Sequence, residues 1–303
     1  MLSLFTIIHP LVDACSVSVL VAGGMSWERV VAYNAMAFAI QLPIGVAMDE
    51  FPRLNRECFF AGTAMTFSSA AAAAFGVGGW GVLALACVGN ALFHLTAGKH
   101  ILETRDGRAG PIGLFISTGA LGLMAGQVWA AKAATMCLAV FAAALALCVV
   151  LAALRSRKIS SPTSLAPRMI SSSGYFMPML ILVGLFVLIA WRSWAGLFAS
   201  GRSAGGCALM MLAGAAVTFT GKVAGGYLAE RVGRWKVTAF SVAGSGALAF
   251  FCEPSWVMAW LALLFVAQLA TGPVLSLVYD KTGRRGGTAF GLNCLGLFTG
   301  SLA

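Results

Sequence analysis

Asp13 lies near the middle of the first apolar run of the chain, and His9 stands four residues before it. On an α-helix that spacing puts both side chains on one face. An acid beside an imidazole can exchange a proton or hold a charged solute, and an ionisable group at bilayer depth is costly enough to point to function. Arg192 interrupts another apolar run, "VLIAWRSWAGLF", and could supply an opposing positive charge. His94 stands in "GNALFHLTAGKH", with Asn90 one turn earlier on the same face. His9, Asp13, Asn90, His94 and Arg192 are therefore the candidate residues for substrate binding or proton coupling. Each also has a structural alternative. Asp13 and Arg192 could be a static ion pair, Arg192 could snorkel outward beside Trp191 and Trp194, and His94 could serve as an interhelical hydrogen-bonding group. Lys222 is expected to run its stem out to the lipid headgroups.

Other chemistries find no footing. The sequence has no phosphate-binding glycine loop, no His/Glu zinc spacing and no nucleophile with an attendant base. The eight cysteines are scattered without paired spacing and read as small apolar fillers. Neither an enzyme, a metal site nor a cofactor is expected, and any transport must run on an ion gradient or on the solute's own.

The elements that hold these residues follow from composition. The 303 residues are 60% hydrophobic and 10% charged, with a mean hydropathy of +0.90, whereas soluble domains run at about 45–50% apolar and about 25% charged. This predicts an all-α integral membrane protein. Apolar runs of spanning length fall near 2–24, 29–48, 58–77, 79–98, 111–131, 133–154, 175–198, 203–225, 236–252 and 255–278. An eleventh begins near 287 and is still apolar at Ala303, so the reading frame is expected to continue beyond it.

The net charge of +10 collects in alternate loops, not in one patch, which argues against a nucleic-acid partner. Most Lys and Arg lie on the side of Arg53, Arg105, Arg108, Arg155 and Arg234, while the opposite side holds only Arg29, Lys132 and Arg202. The excess marks the cytoplasmic face, so the N-terminus is expected inside. A cleaved signal peptide is disfavoured, because no Lys or Arg precedes Arg29 and Asp13 interrupts the apolar stretch.

An internal repeat connects the loops. "GVAMDEFPR" at 45–53 aligns with "GYLAERVGR" at 226–234, matching Gly45, Asp49 and Arg53 to Gly226, Glu230 and Arg234 at an offset of 181 (226 − 45). "GRAG" at 107–110 and "GRRG" at 283–286 are offset by 176 (283 − 107). A design of two parallel six-helix halves follows, the first over 1–154 and the second, with spans seven to part of eleven, over 175–303. Between them 155–174, rich in Ser, Pro and basic residues, reads as a cytoplasmic linker.

Gly226, Glu230, Arg231, Gly233 and Arg234 resemble the loop signature of the major facilitator superfamily (MFS) of transporters. The first copy departs from it, with Glu50 where a base is expected and Pro52 where a glycine is expected. "IHPLVDACS", "GNALFH" and "GRAGPIGLFISTGALG" are similar to segments of the fosmidomycin-resistance type of exporter. The resemblance implies that the two loops help set the balance between inward- and outward-facing states. It also implies that the spans bearing Asp13 and Arg192 face each other across a central cavity. The expected function is a secondary active transporter of a small solute, exporting by alternating access with proton coupling. It would be a monomer in the cytoplasmic membrane, surrounded by lipid. The alternative is a degenerate relative that binds or scaffolds without transport.

Overall fold

A computed structural model of the protein describes residues 2–154, 176–203, 208–251 and 256–302. The linker expected over 155–174 lies outside them. Among the described residues the architecture is helical throughout. In hydrocarbon every backbone N–H and C=O must find a partner inside the protein, and a helix provides one within its own segment. Among the described residues seven helical segments are long and apolar enough to cross a membrane.

The first helix, α1 (Leu2–Ala22), is followed by α2 (Trp27–Asn34), a π-helical turn (Ala35–Ala39) and α3 (Gln41–Glu50). Then come α4 (Leu54–Ala74), α5 (Trp80–Thr104) and α6 (Ala109–Leu154). Beyond the undescribed stretch lie α7 (Phe176–Ser203), α8 (Ala208–Val232), α9 (Arg234–Phe251), α10 (Val257–Gln268), α11 (Thr271–Lys281) and α12 (Gly286–Ser301).

Two apolar runs that hydropathy treats as simple spans are interrupted, and one expected boundary between runs is not a break. The run at 29–48 contains the π-helical turn. Pro43 has no N–H to offer the carbonyl of Ala39, and the turn ends at that residue. The run at 255–278 is two helices, because Pro273 likewise cannot serve the carbonyl of Leu269, where α10 gives way to α11. The boundary expected at 131–133 is a kink inside α6, at Ala133 with φ −153° and ψ 60°.

α1 packs along α6, α4 along α5, α6 against α8, and α12 against both α3 and α7. Phe5, Ile8, Val12, Phe93, Phe115 and Phe290 fill the buried interior between them. On α7, Met179, Val183, Val187 and Trp191 recur every fourth residue as one exposed stripe, while Leu185 and Ile189 are buried. A face this apolar has no stable exposure to water, and lipid is its solvent.

Candidate functional site

α1 turns His9 and Asp13 toward α5 and α6, where two imidazole nitrogens converge on the carboxylate. His9 Nε2 lies 3.1 Å from Asp13 Oδ2, and His94 Nε2 lies 3.4 Å from Asp13 Oδ1. The two Nε2 atoms are 2.6 Å apart. Asn90 Nδ2 donates to Asp13 Oδ1 at 2.9 Å, fixing the carboxylate from α5. His9 stacks on Phe115 with ring centroids 4.5 Å apart and meets His94 edge-on at 4.4 Å. Gly119 makes this approach of α6 possible, since a Cβ there would lie 2.5 Å from Asp13 Oδ2 and 2.7 Å from His9 Nε2. His9, Asp13 and Asn90 are all buried.

The backbone decides which nitrogen of each ring carries hydrogen. His9 Nδ1 is 2.7 Å from the carbonyl of Phe115, and His94 Nδ1 is 2.8 Å from the carbonyl of Asn90. A carbonyl can only accept, so both Nδ1 atoms are donors. Thr118 Oγ1 donates to the same Phe115 carbonyl at 2.9 Å and sits 3.1 Å from His9 Nδ1, which leaves its oxygen free to accept there. In neutral rings both Nε2 atoms then present lone pairs to each other and to the Asp13 carboxylate. Such a constellation is electron-rich and calls for a cation.

Asp13 and Arg192 do not pair with each other. Arg192 Nη1 donates to Gln268 Oε1 at 3.2 Å and Thr271 Oγ1 at 2.9 Å, the two side chains that flank the α10–α11 break. Lys222 does not reach out to headgroups but turns inward, with Nζ 3.5 Å from the carbonyl of Ile116 on α6.

The two repeat loops meet helix starts from the opposite part of the chain. Asp49 accepts from the backbone N–H of Gly287 at 2.9 Å and of Thr288 at 2.7 Å, and from Thr288 Oγ1 at 2.8 Å, capping α12. Lys99 Nζ pairs with Asp49 at 2.7 Å and also with Glu103. Glu230 accepts from Gly110 N at 2.9 Å and from Arg108 Nη2 at 2.5 Å, capping α6. These are anions at the positive ends of helices, and Glu230 holds the Arg108 guanidinium above its ordinary pKa. Gly45 and Gly226 bring the backbones together. A Cβ on Gly45 would lie 2.2 Å from the Gly287 carbonyl, and one on Gly226 2.5 Å from that of Ala109.

Around the caps, Arg285 pairs with Glu50 at 2.9 Å, Arg284 with Asp106 at 2.7 Å, and Ser276 Oγ donates to the Gly107 carbonyl. Arg234 bonds Asp280 at 2.7 Å, joining α9 to α11. Gly233, at φ +105°, makes the turn from α8 to α9. Arg53 and Arg231 are exposed.

No protein-family profile and no curated protein sequence matches the chain. Its fold does match solved structures. The Escherichia coli fucose:proton symporter FucP aligns with a TM-score of 0.63 and 12% identity over 99% of this chain and 88% of that one. A second FucP structure, described as an MFS transporter in the outward conformation, gives 0.63 and 11% over 98% and 89%. A bacterial homologue of the iron transporter ferroportin, in an outward-facing state, gives 0.59 and 14% over 99% and 90%. The fold is therefore the one these transporters share, and the protein is a multi-pass membrane protein.

Several residues of the cluster are not marked in the sequence. Phe115 acts through its carbonyl, which no side-chain pattern reports. Thr118 sits in "FISTGALG", where the small residues of the segment are the only signal. Lys99 and Glu103 carry an i,i+4 spacing that was visible but reads as ordinary loop-edge charge.

Proposed function

We propose that the protein is a secondary active transporter that exports a small solute across the cytoplasmic membrane by alternating access, with protons as the coupling ion. His9, Asp13 and His94 exchange the proton, Asn90 orients the carboxylate, and Arg192 with Gln268 and Thr271 contacts the solute. In this reading 1–154 is the first, six-helix half, 175–303 carries spans seven to part of eleven of the second, 155–174 is a cytoplasmic linker, and the N-terminus is cytoplasmic. The subgroup it fits is the fosmidomycin-resistance type. It works as a monomer.

The observation that carries the reading is the pair of lone-pair nitrogens 2.6 Å apart beside a buried carboxylate. A proton between the two Nε2 atoms relieves their repulsion, and Asp13 stabilises the resulting charge. The capped loops supply the second requirement, a seam that can close one end of the molecule while the other is open. That FucP is named a proton symporter agrees with proton coupling in this fold.

The test uses proteoliposomes holding a pH-sensitive dye, with fosmidomycin and L-fucose as probe solutes. Wild type should move protons on addition of a transported solute. Asp13→Asn should lose that flux while retaining exchange of labelled solute. Undiminished, equally pH-dependent flux in Asp13→Asn would remove Asp13 from the coupling step.

A further inference from the structure

We infer that His9, Asp13 and His94 also form a binding site for a divalent first-row transition-metal ion, and that such an ion is a cargo of the protein, held at this cluster and not at Arg192. That the ion is cargo rests on the transport reading above; that it binds rests on geometry alone.

The two imidazole Nε2 atoms and the Asp13 carboxylate lie on two helices, α1 and α5, with all three ligand atoms within 4.8 Å of one another. Around an ion with metal–nitrogen bonds of about 2.0–2.1 Å, tetrahedral ligands sit roughly 3.3 Å apart. The His9–Asp13 and His94–Asp13 separations of 3.1 and 3.4 Å already fit. Only the His9–His94 separation of 2.6 Å must widen, by less than the width of an atom.

The outer contacts are those a metal site needs. Each histidine gives its Nδ1 hydrogen to a backbone carbonyl, which fixes the tautomer and aims a bare Nε2 at the centre. Asn90 steadies the carboxylate in the same way. Two imidazoles and one carboxylate suit borderline ions such as Fe(II), Co(II), Ni(II) and Zn(II). All-oxygen sets suit Mg(II) and Ca(II), and thiolates suit Cu(I). Three protein ligands leave a coordination position open. Exchange requires that opening, and a closed four-ligand structural site would lack it.

The experiment is titration of the tag-free full chain in detergent with CoCl₂, read by visible absorption. Wild type should develop saturable d–d bands at one equivalent, unaffected by excess Mg(II). His94→Gln and Asp13→Asn should each weaken binding by roughly tenfold or more, since losing a ligand costs no less than losing an outer-shell partner, which costs about 10–100-fold. His100→Gln, at another buried histidine of α5, should bind like wild type, and His9→Gln stands in if either ligand variant fails to fold.

A second arm follows Co(II) entry into proteoliposomes loaded with a chelating dye. Binding with flux supports both statements. Binding without flux supports the site and overturns the cargo assignment. Absence of the bands in wild type, or equal bands in His94→Gln, overturns the site, even where solute-driven proton flux persists and leaves the transport reading standing.

Discussion

Asn90 makes one hydrogen bond on which the geometry of Asp13 depends. Replacing it by Leu keeps much of the volume and leaves Asp13 Oδ1 without that donor in a dry site. A bond to a charged group contributes about 1.5–3 kcal/mol, so we expect Asn90→Leu to slow solute-driven proton flux roughly tenfold or more while the protein still reaches the membrane. Flux equal to wild type in proteoliposomes would show that His9 and His94 hold the carboxylate unaided. The sequence shows half of this site. Helical spacing alone places His9 with Asp13 and Asn90 with His94, because i,i+4 neighbours share a face whatever surrounds them. It does not show that the two pairs meet, since that contact spans 77 residues and is set by how α1 and α5 pack. Nor does it show the carbonyls of Phe115 and Asn90, which settle the tautomers through atoms that every residue possesses.

The loop acids each cap a helix from the other part of the chain. Asp49 serves α12 and Glu230 serves α6, so the repeat seen at an offset of 181 residues becomes a reciprocal exchange. Glu230→Gln keeps an acceptor for Gly110 N and removes the ion pair with Arg108. Exposed pairs contribute about 0.2–1 kcal/mol, so the expected effect is a few-fold shift toward the state open at this end, with expression maintained. Counting labelled cysteines reactive at that end checks it, and an unshifted population would reduce Glu230 to a topology signal. Gly45→Val is a harsher test, because its Cβ must enter the space of the Gly287 carbonyl. Helices α3 and α12 should separate at this contact, with lower thermal stability and loss of the closed state by the same labelling. The repeat was readable because matching acids recur at matching positions. Its recipients were not, since a backbone N–H at a helix start carries no residue type. Pro43 and Pro273 were available as break signals, but hydropathy averages over single residues and passed across both interruptions.

At the scale of the whole molecule, composition alone conveys an all-helical membrane protein, because nothing soluble could bury so much apolar surface. The orientation in the bilayer rests on the uneven distribution of Lys and Arg. We expect single cysteines introduced between 156 and 172 to react with impermeant maleimide only in inverted vesicles; reaction on intact cells would invert the topology. The contacts that join the two ends of the chain near Asp49 and Glu230 have a further consequence. Arg108 and Arg285 are exposed and Arg284 is half-buried, and their partners are ionic. Mobile ions screen such pairs over about 10 Å at 0.1 M, whereas an apolar joint would tighten in sulfate. The exposed rim of the joint is thus ionic, around the buried Asp49–Lys99 pair and the close Gly45–Gly287 contact. If the protein transports as proposed, its opening rate should rise with sodium chloride, so that the ionic strength of the adjoining compartment acts as a throttle on that cycle.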